Sequence, residues 1–375
     1  MRSIDKLLEH ARKKGWWVIP GLVDLHAHFR DPGQTHKEDI ETGLKSAAAG
    51  GFTTVVTMPN TSPTVDSPEQ IKYQIDRAQQ IGIARLLPSS ALTYGLEGNQ
   101  VVYMQQNKLA GAIAFTDDGK TVMREDVLEE IFKKAAEVNA LVMVHCEEPE
   151  HEIIQRDIRL AIKHGVRLHL QHVSTRESVN AIMAAKLTHR HLITAEVTPH
   201  HIALTYNPKQ NTNFKMSPPL RTETDKLALI EALRDGTIDC IATDHAPHAK
   251  NEKSVKYDEA PNGIIGLETA VGVVMTELYH KHKFTKERII EILSTTPAKI
   301  IGVEPVGTTV IDPNATWRPT TFVSKSANSP FIGTKLRGKV TTTIYNDKIV
   351  YCDKKVDKNW LGDGINALIN LIGEV

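Results

Sequence analysis

The stretch GLVDLHAHFRDPG, residues 21–33, decides how the rest of the chain is read. An apolar run ends there in two histidines, His26 and His28, with Arg30 two positions further on. Spacing of two sends both imidazoles to the same side of a strand. Runs this apolar suit strands buried on both faces, as in a parallel sheet.

Seven further runs resemble the first: residues 52–58, 84–91, 111–116, 140–146, 166–173, 192–198 and 238–244. Helical patterns lie between most of them. Thr35 and Glu38 suggest a capping box before a helix that Gly50-Gly51 ends. Ser67-Pro68 marks a second start, with proline at the first helical position, and Ser174 with Glu177 a third. Eight β-α units predict an α/β fold, a (β/α)8 TIM-like barrel. The rival doubly wound sheet would place phosphate-binding glycines after its first strand, and HAHFRDPG is no such loop. After about residue 300 the texture changes to short antiparallel strands, with Asn346-Asp347 as a turn. The expected organisation is an amphipathic segment over 1–20, a catalytic barrel over 21–305, and a small β appendage with a tail over 306–375.

Composition narrows the function. The 375 residues carry 45 basic and 45 acidic side chains, which gives no reason to expect nucleic acid or a membrane surface as partner. Three scattered cysteines, Cys146, Cys240 and Cys352, form no C-x-x-C pair, so a reducing, cytoplasmic compartment fits. No apolar run reaches eighteen residues, and the start of the chain reads as a short amphipathic helix, not a signal peptide.

In a parallel barrel the loops at the C-terminal strand ends form the active face. The candidate strand ends carry His26 and His28, then Asp117 and Asp118 of FTDDG, then His145, His172 and Asp244. Neutral imidazoles with carboxylates suit a divalent first-row metal, most commonly zinc. One histidine alone is ordinarily a hydrogen-bonded core or rim residue. Four of them with acidic neighbours, all at strand ends, would leave costly unsatisfied atoms without a metal.

The motifs DLHAHFRDPG, GGFTTVVTMPNTSP, FTDDG, VHCE, QHVSTRESV, EVTPHH, PPLR and IDCIATDHAPHAKNEK resemble, in order, those of the class I dihydroorotases of the amidohydrolase superfamily. The resemblance implies that His26 and His28 bind one metal and that His145 and His172 bind a second. Asp244 would touch the first metal and shuttle a proton. Many relatives bridge their metals with a carboxylated lysine on strand four. Here FTDDG is similar to the branch that uses an aspartate, Asp118, with Asp117 as the alternative. One or two zinc ions per chain are implied. Arg30, Asn60 and His248 would grip the carboxylate of the substrate, as a guanidinium suits a carboxylate. The implied reaction is the reversible cyclisation of N-carbamoyl-L-aspartate to L-dihydroorotate plus water, in the de novo route to UMP.

Three departures from the resemblance are visible. The β segment that precedes the H-x-H in full-length relatives is missing or reduced to residues 1–20. The segment between His145 and His172 is short. Ser217 stands where the family usually has asparagine. The FKMSPPLRT segment is the candidate mobile cover of the site. The competing expectations are a hydantoinase or allantoinase, and a dormant partner subunit of aspartate transcarbamoylase. A homo-oligomer is expected. Cys146 is read as a core residue, and His36, His169, His200, His201 and His245 as groups that could orient ligands.

Overall fold

The computed structural model describes residues 3–353; the tail 354–375, counted with the expected appendage, lies outside the described residues. Four strands follow one another early in the chain: β1 (Trp17–Pro20), β2 (Leu22–Ala27), β3 (Phe52–Thr57) and β4 (Arg85–Pro88). Then come β5 (Leu141–Val144), β6 (Arg167–Leu170), β7 (Ile193–Val197) and β8 (Cys240–Ile241). β2-β3-β4 and β5-β6-β7-β8 are parallel sheets.

Two short segments join these sheets into a closed ring. Phe115 bridges Ser90 on one side and Val142 on the other, which supplies the fourth barrel strand. His245, beyond β8, bridges Ala27, and the His28 N–H donates to the His245 carbonyl at 2.8 Å. The expected strand over 111–116 is therefore present as isolated bridges, not as a regular ladder. The barrel interior is filled by Val23, Leu25, Val56, Ala114, Met143 and Ala242, which come from opposite sides of the ring and pack together. The helices pack a second apolar layer against the outer strand faces, among them Leu44, Ile71, Ile131 and Ile182.

On β2 the pairing with β3 shifts register between Asp24 and Ala27. Such irregularities re-aim side chains beside active sites. Asp24 accepts from the Thr243 N–H at 2.8 Å and the Thr243 hydroxyl at 2.6 Å, tying β2 to the chain just before Asp244.

Local signals set the helix starts, with two corrections. The helix Ile40–Ala49 is capped by Asp39, whose carboxylate accepts from Thr42 N–H while the Thr42 hydroxyl oxygen accepts from Asp39 N–H. The expected Thr35/Glu38 box does not form because Glu38 is fully buried and takes bonds from Thr42 and Ser324 instead. The helix Arg176–His189 is capped by Thr175, not Ser174, whose hydroxyl is drawn to Glu150. The helix Pro68–Ile81 starts after Ser67 as expected.

β1 pairs antiparallel with β9 (Thr308–Trp317), and the sheet continues through β10 (Leu336–Tyr345) and β11 (Lys348–Cys352). Asn346 and Asp347, both at positive φ, make the two-residue turn between β10 and β11. The helix α1 (Ser3–Lys13) lays Leu7 and Ala11 on Val310, Ile344 and Ile349 of this sheet. Trp16 joins the same cluster, whereas Trp17 turns to the barrel layer and meets Tyr279 edge-on at 4.9 Å.

Candidate metal centre

The His26 ring is held from behind. Its Nδ1–H donates to Glu196 Oε1 at 2.8 Å, which leaves Nε2 with a lone pair facing Asp118 Oδ1 at 3.0 Å. His28 repeats the arrangement: Nδ1–H donates to the Asn60 side-chain oxygen at 2.8 Å, and Nε2 lies 3.0 Å from Asp244 Oδ1 and 3.4 Å from Asp118 Oδ2. Asp244 Oδ1 is also 3.5 Å from His26 Nε2. On the far side of Asp118, His145 Nδ1 is 3.6 Å and His172 Nε2 is 4.0 Å from Oδ1, and these two ring nitrogens are 2.8 Å apart.

The donor set fits a divalent metal. His26, His28 and Asp118 form one triplet of converging ligand atoms, and Asp118, His145 and His172 form another, all buried. His26 Nε2 and Asp118 Oδ1 are buried without a hydrogen-bond partner. Two electron-pair donors facing each other in a dry site are costly unless a positive charge lies between them. Burial would push the His26 pKa down, yet Asp118 and Asp244 hold it well above its ordinary value, so the two carboxylates favour positive charge at this ring. Burial, with His145 and His26 nearby, keeps His172 well below its ordinary value, in the neutral form that ligates metals.

Asp117 and Asp118 part ways. Asp117 turns back to accept from the Leu92 and Thr93 N–H groups at 2.8 and 3.0 Å, together with the Thr93 hydroxyl. Asp118 alone of the two faces the histidines.

Glu196 is not among the residues that the sequence puts forward as candidates. It is fully buried on β7, and its second oxygen accepts from His169 Nε2–H at 3.0 Å. His169 Nδ1 in turn lies 2.9 Å from the Thr194 hydroxyl. Burial would raise the Glu196 pKa, but the hydrogen bonds from His169 and His26 bring it down to about 2. His169, Glu196 and Cys240 also converge. Both Glu196 oxygens are already taken by ring N–H donors, and burial pushes the Cys240 thiol well up, so this group supports the centre from behind. Cys146 packs in the core as expected.

The carboxylate-gripping candidates line the same mouth. β2 ends at Ala27, so the alternation does not continue to Arg30, which sits at φ +58°. Its Nε–H nevertheless donates to the Pro247 carbonyl at 3.3 Å, beside His248. His248 Nε2–H donates to the Asn262 carbonyl at 2.8 Å, while Nδ1 is buried without a hydrogen bond, 3.6 Å from Glu252 Oε2. His172 and Asp244 also hold positive φ, +35° and +47°. Such conformations are uncommon outside glycine and gather at functional sites. Of the other histidines, His201 has Nδ1 2.8 Å from the Thr198 hydroxyl and donates from Nε2–H to the Pro218 carbonyl at 3.1 Å, His245 lies 3.4 Å from Glu38, His200 keeps a buried Nε2 without a hydrogen bond, and His36 is exposed. Ser217 is half-buried in the segment that ends at Leu220 and Arg221.

A closed barrel with paired histidines and carboxylates at its mouth is the architecture of metal-dependent hydrolases that work on amide bonds. The chain belongs to the amidohydrolase family, whose model matches residues 17–350. Within it the chain groups with the dihydroorotases. It is 41% identical to the dihydroorotase of Clostridioides difficile (strain 630), over 89% of this chain and 87% of that relative. It is also 41% identical to the dihydroorotase of Aquifex aeolicus (strain VF5), over 94% and 93%. Among solved structures, L-hydantoinase (dihydropyrimidinase) from Arthrobacter aurescens superposes with a TM-score of 0.82 at 24% identity, covering 90% of this chain and 85% of that one. Dihydropyrimidinase from Brevibacillus agri NCHU1002 gives 0.77 at 22%, covering 91% and 86%. These two likenesses concern the fold. Among the described residues no helix is long and apolar enough to cross a membrane.

Proposed function

We propose that the chain catalyses the dihydroorotase reaction, the reversible cyclisation of N-carbamoyl-L-aspartate to L-dihydroorotate plus water, in the route to UMP. The observation that carries this reading is the Asp118 carboxylate shared between the His26/His28 and His145/His172 pairs. Zinc is the proposed metal, held by His26, His28, Asp118 and Asp244 at one position and by Asp118, His145 and His172 at the second. When bound, such a metal lowers the pKa of a coordinated water and polarises a carbonyl. Arg30, Asn60 and His248 orient the substrate through its carboxylate. In hydrolysis Asp244 removes a proton from the attacking water, the ring C–N bond breaks, and Asp244 returns that proton to the leaving nitrogen. Cyclisation runs the same steps in reverse. The cytoplasm is the proposed compartment, self-association the proposed assembly, and aspartate transcarbamoylase the protein partner to be tested.

The decisive measurement is metal content beside dihydroorotate hydrolysis, for wild type and Asp118→Ala. The variant is expected to lose bound zinc and at least about a hundredfold in kcat/KM. Wild-type turnover of a hydantoin without turnover of dihydroorotate overturns the assignment. Activity that emerges only on adding aspartate transcarbamoylase points to a dependent subunit.

A further inference from the structure

The segment 323–329 lies in the C-terminal region that the sequence assigns to the appendage, yet it packs at the barrel rim against the neighbouring loops that follow β2 and β8. On one side it is fastened to the loop that follows β2. Ser324 donates to Glu38, the Lys325 N–H donates to Glu38 at 3.3 Å, and the Ser326 hydroxyl donates to the Lys37 carbonyl at 2.8 Å. Glu268 accepts from the Val323 and Ser324 N–H groups at 2.9 and 3.0 Å.

On the other side the strap ends in Asn328, which is 4% exposed. Every polar group of Asn328 beyond its own N–H is spent on the loop after β8. Its side-chain oxygen accepts from His248 N–H at 3.1 Å. Its amide nitrogen donates to the Ala246 and Gly263 carbonyls at 3.0 and 3.1 Å. Its own carbonyl accepts from Ile265 N–H at 3.0 Å. The loop clasped in this way presents Pro247, whose carbonyl receives Arg30, and His248, whose buried Nδ1 makes no hydrogen bond and lies 3.6 Å from Glu252 Oε2.

We propose that Asn328 is a positioning residue of the substrate-binding wall, setting His248 directly and Arg30 through Pro247. The strap thereby couples the loops that follow the first and last barrel strands. The role rests on the proposed function, because it presumes that Arg30 and His248 meet a substrate carboxylate. Only a side-chain amide matches this position, where one acceptor faces an N–H and two donors face carbonyls. An aspartate of the same shape keeps the acceptor but turns a second oxygen toward two carbonyl oxygens.

Asn328→Asp tests this in the full-length, metal-loaded enzyme. Wild-type hydrolysis of dihydroorotate is measured first, and its absence overturns the functional reading together with the role built on it. With an active wild type, N328D is expected to raise KM for dihydroorotate about tenfold or more while kcat stays within about threefold, with zinc content unchanged. In a His248→Ala background the same substitution is expected to change KM far less, since residues that act through one another are not additive. Unchanged KM in N328D overturns the positioning role, an equal KM effect with and without His248 overturns the direct route through His248, and both leave the dihydroorotase reading intact. If N328D is not recovered folded, Asn328→Ser carries the same comparison, because it removes the two carbonyl contacts without adding charge.

Discussion

Glu196 is an acid inside the apolar run ITAEV of β7, and nothing in a strand ladder calls for one. That misfit was the signal available in the sequence. The candidate ligands that converge, His26, His28, Asp118, His145 and His172, were legible as a group because strand periodicity and position at a strand end both pointed at them. The support behind them was not, because it joins residues 170 positions apart, His26 and Glu196, that only barrel closure brings together. The choice between Asp117 and Asp118 was likewise a matter of tertiary contacts: the Leu92 and Thr93 amides claim the first. The Glu196 carboxylate makes a definite prediction. Glu196→Gln preserves size but removes the negative charge behind the His26 ring and opposes one ring N–H with an amide N–H. Zinc affinity, measured by competition with a chelating dye, is expected to fall about 10- to 100-fold. Unaltered affinity sinks the idea that Glu196 tunes the centre.

Elements were easier to read than their boundaries. Seven of the eight expected barrel runs contain a regular strand, because buried parallel strands are written as continuous apolar residues. The eighth, 111–116, begins at the left-handed Gly111 and forms β-bridges only at Phe115, although Ile113, Ala114 and Thr116 also hydrogen-bond to Pro88 and Ser90 beside it. Helix starts were mistaken where a capping side chain had a stronger partner elsewhere, as Glu38 has in Ser324 and Ser174 has in Glu150. The first twenty residues gave the amphipathic helix but hid β1, since WVIP is too short to show a period. The packing of α1 gives this region a measurable share of stability. Leu7 is 2% exposed against the β9-β10-β11 sheet, so Leu7→Ala leaves a cavity and is expected to cost about 2–4 kcal/mol in urea unfolding. Zinc content should stay at the wild-type level. An unchanged unfolding midpoint refutes the docking of α1.

At the scale of the whole molecule, strand order, barrel closure and the convergence of remote strand ends follow from one regularity, parallel strands alternating with helices. What that regularity cannot convey is which buried charges burden the fold. Asp157, on the helix Glu150–His164, is 1% exposed and takes one hydrogen bond from Arg156 Nε–H at 2.8 Å. Burial pushes its pKa up to about 6 from an ordinary 3.8, against the pull of Arg156. The folded state therefore holds a proton that the unfolded chain has released between these values. Where the folded state binds more protons, stability falls as pH rises. The contribution of Asp157 is most favourable below about pH 4, declines through about pH 6 and is level above it. A shift of about two units sets the total loss at roughly 3 kcal/mol. Asp157→Asn mimics the protonated acid and lacks this slope. In chelator, so that metal release does not contribute, urea unfolding of both proteins from pH 4 to 7.5 should show near-equal stability at the acid end and a growing advantage for the variant toward neutrality. Other titrating groups are common to both proteins and cancel in the difference. Parallel curves across that range would mean that Asp157 ionises in the folded protein as readily as it does in water.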